Sequence, residues 1–181
     1  MMLLRRFLPP VAVLLLGIGL LAVLAPETRA LPRYIALLCR RAPDALPVPV
    51  RGVRPSQLAD TWGAPRSGGR RHEGIDIFAR RNTPVLSATD GVISERGIDG
   101  LGGRYVMVIG SGGYRHYYAH LERWGAPGIG DWVRAGDLIG YVGDSGNAKG
   151  TPTHLHYGIY TFIGGAIDPF PFLASGRGLH Q

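Results

Sequence analysis

Tyr105-Val106-Met107-Val108-Ile109 and Tyr114-Arg115-His116-Tyr117-Tyr118-Ala119-His120, joined through Ser111-Gly112-Gly113, decide how this sequence folds. Both runs are rich in β-branched and aromatic residues, and the Ser-Gly-Gly between them supplies turn backbone, so they read as strands. The same pattern continues outward. Ile75–Phe78, Pro84–Ala88, Gly91–Glu95 and His154–Tyr160 are further candidate strands, with Gly102-Gly103, residues 143–150 and Gly164-Gly165 as connections. The 28 glycines and 14 prolines among 181 residues disfavour a helical protein, because each marks a turn or breaks a helix. The expected fold is mostly β, a single antiparallel sheet domain with a groove, preceded by an N-terminal hydrophobic helix and a Pro-rich linker. Gly100 to Gly103 runs into a strand and not a helix, which excludes dinucleotide-binding and P-loop readings.

Ahead of the β-rich region, Phe7 to Ala25 is an apolar stretch of 19 residues behind Arg5-Arg6. As a helix it would span roughly 28 Å, enough for a bilayer core. Export is therefore expected, with residues 1–25 as a signal anchor or signal peptide. Pro26 and Val23 fit a cleavage site at Ala25 poorly, which favours an anchor in the inner (cytoplasmic) membrane. The rest of the chain then lies in the cell envelope, on the periplasmic or extracytoplasmic side. Six prolines between 26 and 55 restrict the backbone to extended forms, so this stretch is expected to be a linker, with only a short helix near Tyr34–Cys39. Residues 56–181 are the expected folded domain, acting as a monomer.

Of the formal charge of +7, residues 1–50 carry +4, from six Arg against Glu27 and Asp44. No Lys/Arg stretch is interleaved with aromatics, so no nucleic-acid partner is expected. Cys39 is the only cysteine, which excludes an intrachain disulfide and a cysteine metal cluster.

The chemistry lies in the histidines, at 72, 116, 120, 154, 156 and 180. In His72-Glu73-Gly74-Ile75-Asp76 a spacing of four puts two ligand-type side chains on one face. In His154-Leu155-His156 a spacing of two does the same on a strand. Tyr118-Ala119-His120 closes a strand whose alternation includes His116. A zinc site in a hydrolase takes three His or carboxylate ligands and leaves one position open. His72, Asp76 and His156 supply that set, and two neutral imidazoles with one carboxylate leave a net charge of about +1, which lowers the pKa of bound water. His120 and His154 are then left for acid–base work. His116 is expected at the groove rim, His180 outside the fold, and Glu73 facing away from the metal. Arg70, Arg71 and Arg104 are candidates for binding substrate carboxylates.

These residues resemble the lysostaphin-type, or LytM-like, zinc metallopeptidases, whose signatures are His-x-Gly-x-Asp and His-x-His. The resemblance runs from about Trp62 to Leu173 and includes Thr83-Pro84-Val85-Leu86-Ser87-Ala88, Asp90-Gly91-Val92-Ile93 and Val133 to Gly143. It implies Zn2+ held by His72, Asp76 and His156, a catalytic pair of His120 and His154, and peptidoglycan stem peptides as substrate. It also implies an antiparallel β fold with the zinc at the floor of a groove. Gly158 stands where the family often has glutamate. Two rival readings accompany it. One is a catalytically inactive family member that activates another wall hydrolase. The other is a biotinyl-type carrier module, which leaves both histidine motifs unexplained.

Overall fold

The computed structural model describes residues 31–175, together with Val11, Gly17 and Gly19. Apart from those three, the apolar run expected to enter a membrane lies outside these residues, as do the far C-terminus and His180. Among the described residues no helix is long and apolar enough to cross a membrane.

Nine antiparallel strands form one sheet. They are β1 (Ile75–Phe78), β2 (Pro84–Leu86), β3 (Gly91–Asp99), β4 (Gly103–Gly110), β5 (Arg115–Trp124), β6 (Trp132–Val133), β7 (Leu138–Val142), β8 (His154–Tyr160) and β9 (Ala166–Ile167). The main path runs β1-β8-β5-β4-β3-β6, with β7 joining β5 to β2 and β9 added to the far end of β8. The two strands that opened the sequence reading are β4 and β5, and the Ser-Gly-Gly turn joins them as expected. Gly112 and Gly113 there have φ of 72° and 70°, a region that residues with a Cβ rarely adopt. Among residues 31–175, two α-helices flank the sheet, α1 (Leu31–Leu38) and α2 (Phe170–Ala174).

Alternation along the strands divides the sheet into two faces. Ile75 and Ile77 of β1, Tyr118 of β5, and Leu155, Tyr157 and Ile159 of β8 turn into the core. Asp76 and His156 turn the other way, into the groove. Behind His156, a buried polar chain ties β5 to β8. His116 Nδ1 is 2.7 Å from the Tyr157 hydroxyl, Tyr157 bonds Tyr118, and Tyr118 Oη accepts the Ala88 N–H at 2.9 Å. His116 is fully buried in this chain, not at the groove rim, and burial lowers its pKa to about 3, so it stays neutral.

His116 and His120 were expected to share a face, and they do not. His120 adopts φ of 60°, a left-handed conformation uncommon for a residue with a side chain, and β5 shifts register around it. The alternation therefore breaks. Tyr118 and Leu121 both face the core, while His120 is thrown into the groove. Such backbone costs of order 1–3 kcal/mol and is typical of functional positions.

The stretch expected to be a spacer is partly structured. Leu46, Val48 and Val50 are buried in the main core. Leu46 N–H donates to the Phe172 carbonyl, Leu86 N–H to Pro49 and Arg51 N–H to Pro84. The prolines do impose extended backbone, but the residues alternating with them carry a core-facing stripe. Leu37 of α1 is also buried, beside Val92 and Trp132. Packing thus begins near residue 31 and not at 56. Burying each of Leu46, Val48 and Val50 contributes about 1.5–3 kcal/mol, so a chain starting at residue 56 should lose about 4 kcal/mol or more against one starting at 31 in urea unfolding. Equal stability would show that the segment is only draped over the surface.

Candidate metal centre

His72 precedes β1 and reaches Asp76 across the bend at Gly74. A Cβ at Gly74 would lie 2.6 Å from the Tyr157 carbonyl and 2.7 Å from His156 Cε1, so only glycine lets this bend approach β8 so closely. On the next strand, Asp76 pairs directly opposite His156. The three ligand-type side chains converge: His72 Nε2 is 3.1 Å from Asp76 Oδ1, His156 Nδ1 is 3.3 Å from the same oxygen, and the two nitrogens are 2.8 Å apart. Zinc bonds of about 2.0–2.1 Å at tetrahedral angles separate ligand atoms by about 3.3 Å, so this triangle fits the ion.

The groups behind the triangle fix which atoms face it. His72 Nδ1 lies 2.7 Å from the Thr61 carbonyl, which can only accept, so the proton sits on Nδ1 and the Nε2 lone pair is free for a metal. The Thr61 hydroxyl accepts the Asp76 N–H at 3.0 Å. Burial alone would raise the Asp76 carboxyl, but the hydrogen bond from His156, with the imidazoles of His72 and His154 beside it, overcomes that and holds it well below the usual carboxylate range.

His120 and His154 close the other side, with their rings 5.0 Å apart. His120 Nδ1 is 2.9 Å from the Ser145 carbonyl and His154 Nδ1 is 2.8 Å from the Pro152 carbonyl. Each therefore carries its proton on Nδ1 and keeps Nε2 free, and His154 Nε2 lies 3.8 Å from Asp76 Oδ1. Burial, then the charge of neighbouring His156, lowers the His120 pKa to about 4 and keeps it neutral near pH 7.

All five residues line one open groove of about 930 Å3. Its walls include Phe78, Leu101, Tyr117 and Tyr160. Arg70 and Arg71 also line it, whereas Arg104 does not and instead donates its backbone N–H to Ser145 Oγ. Glu73 lines the groove with its carboxyl bonded to Tyr160, away from the ligand triangle.

Spacing did not reveal Arg66. Its guanidinium donates to Asp76 Oδ2 at 2.5 Å, leaving Oδ1 for a metal. It arrives across a hairpin-like turn at Ser67–Gly69, closed by the Pro65–Arg71 bridge, and no strand or helix period links it to Asp76.

The Peptidase family M23 profile matches residues 70–169, which contain every one of these histidines and Asp76. The chain belongs to peptidase family M23. Among its relatives, the L-Ala–D-Glu endopeptidase of Bacillus subtilis (strain 168) is 41% identical over 141 residues, covering 71% of this chain and 42% of the relative. Lysostaphin of Staphylococcus simulans is 36% identical over 112 residues, covering 59% of this chain and 22% of the relative. This M23 chain thus spans less than half the length of these curated relatives. In structure it resembles the catalytic domain of lysostaphin from Staphylococcus simulans, with a TM-score of 0.60 and 32% identity, covering 67% of this chain and 96% of that domain.

Arg66 supplies a test of the M23 site. Loss of a partner hydrogen-bonded to a ligand typically weakens metal binding about 10–100-fold, so Arg66→Met should weaken zinc affinity by that factor in competition with a chromophoric chelator. Unchanged affinity would show that the Arg66–Asp76 pair is only a surface contact.

Proposed function

We propose that the chain is a zinc-dependent metalloendopeptidase that hydrolyses peptide cross-links of bacterial peptidoglycan on the extracytoplasmic side of the membrane. The observation that carries this reading is the meeting, in one groove, of a closed ligand triangle and two further histidines with Nε2 free. His72, Asp76 and His156 are the residues that would hold zinc. The chemistry zinc supplies in such a site is polarisation of a carbonyl and acidification of water.

The chain's own groups do the rest. His120, neutral and with its Nδ1–H fixed on Ser145, takes the proton of the attacking water at Nε2 and returns it to the departing amine. His154, fixed on Pro152, turns Nε2 into the same space as the second member of the acid–base pair. Phe78, Tyr117 and Tyr160 give the groove walls that exclude water from a bound peptide, and Arg70 and Arg71 at its lip attract substrate carboxylates. An open groove beside a sheet suits an extended stem peptide with small side chains at the scissile bond. The names of the relatives, an L-Ala–D-Glu endopeptidase among them, support a wall peptide as substrate. An inactive regulator has no chemical need for all five site residues, and all five are present.

The same proposal places residues 7–25 in the membrane as an anchor, on the strength of 19 consecutive apolar residues behind Arg5-Arg6.

The test is digestion of purified cross-linked peptidoglycan by the zinc-loaded chain. New amine termini and monomeric muropeptides should appear and should be abolished by a chelator. His154→Ala should keep its zinc but lose about 10²–10⁴-fold in turnover, the range for one acid–base group. A zinc-loaded chain that releases nothing would overturn the peptidase reading. Loss of zinc in His154→Ala would overturn its assigned role.

A further inference from the structure

Four large apolar side chains are exposed at the end of β8 away from the metal centre. Ile35 and Leu38 lie one turn apart on α1 and are 55% and 41% exposed, while Phe162 and Ile163, in the turn between β8 and β9, are 65% and 94% exposed. Leu38 and Phe162 meet over Gly113, where a Cβ would lie 2.5 Å from Leu38 Cδ2 and 3.3 Å from Phe162 Cβ. The opposite side of α1 is occupied by buried Leu37, so the helix is fixed to the domain with its apolar outer face turned outward. Exposed Arg33 and Arg40 flank it, and Arg41 is paired with Asp44. Exposed apolar side chains on a helix flanked by arginine are the composition of a surface that sits at a bilayer interface.

The chain connectivity names the occupant. Because residues 31–55 pack on the domain, only residues 26–30 separate the apolar run ending at Ala25 from α1. Five residues reach at most about 18 Å. With residues 7–25 anchored as proposed above, a domain on so short a leash would stay at the membrane surface, with α1 the first packed element after the anchor. The strands then set the direction of the groove. β8 begins at His154 in the metal centre and ends at Tyr160, two residues before Phe162. Its seven residues span about 20 Å at the usual strand rise. β4 and β5 run the same way, with Gly103 and His120 towards the groove and Gly110 and Arg115 towards the patch.

We propose that the face formed by Ile35, Leu38, Phe162 and Ile163 seats on the outer surface of the membrane that residues 7–25 enter, holding the metal centre at the start of β8 about 20 Å above it. The proposal rests on the anchor reading of those residues. It restricts the substrate to the membrane-proximal layer of the wall, since the groove is carried upright at a fixed, short height and not swung on a long linker.

The experiment uses the full chain in a Cys39→Ser background, with either Ile163→Cys or Leu101→Cys labelled by an environment-sensitive fluorophore. Leu101 is exposed at the groove wall and is the control. The labelled chains are reconstituted into phosphatidylethanolamine–phosphatidylglycerol vesicles with and without a lipid bearing a shallow nitroxide quencher. The proposal expects at least threefold stronger quenching at 163 than at 101, and a fall of the 163 signal to the control level in Phe162→Asp. Equal quenching at both positions, in chains that float with the vesicles, overturns the docking face and leaves the anchor standing. Chains that do not float overturn the anchor and the docking face together, whereas wall digestion by the same preparation reports on the peptidase reading alone.

Discussion

The register between β1 and β8 is the constraint on which the site depends. Asp76 lies opposite His156 across these strands, and both point to the groove face while Ile75, Ile77, Leu155 and Tyr157 point to the core. A slip of β1 by one residue would turn Asp76 into the core, expose Ile75 and Ile77, and part the carboxylate from His156. The same apolar burial that stabilises the sheet therefore also fixes the ligand geometry. β8 is held from both sides, since it pairs with β5 as well, and the His116–Tyr157–Tyr118 chain joins β8 to β5 on the face behind His156.

Around that register the remaining groups arrive by less regular backbone, and this decides what could be read from the sequence. Period-two alternation located Asp76, His154 and His156 because those residues sit within or at the start of intact strands. It failed at His116 and His120, because one left-handed residue, His120 itself, inverts the alternation halfway along β5. Arg66 was invisible for a related reason: it meets Asp76 through a turn with two positive-φ glycines, and turns have no periodicity to read. The strands β6 and β9, of two residues each, are too short to leave a pattern.

The N-terminal boundary shows a different limit. Leu46-Pro47-Val48-Pro49-Val50 has the alternation of a core-facing extended segment, but its prolines are also the mark of a linker. Proline fixes backbone shape without saying whether the neighbouring side chains are buried. Here the partner is the Pro84–Leu86 segment, nearly forty residues on, and only the fold brings the two together. The consequence is structural: the segment expected to be a free spacer is part of the domain from α1 onward, and the groove has a fixed position relative to α1.

We propose His72, Asp76 and His156 as the metal ligands of this M23 chain. Zinc-edge X-ray absorption on the chain loaded with one equivalent of zinc tests this assignment most directly. Binding should be stoichiometric, with two imidazoles, one carboxylate oxygen and one further light atom about the metal, and the carboxylate contribution should be lost in Asp76→Ala. A shell of three or more imidazoles, which would bring His120 or His154 in as ligands, would contradict it, as would failure to bind an equivalent of zinc.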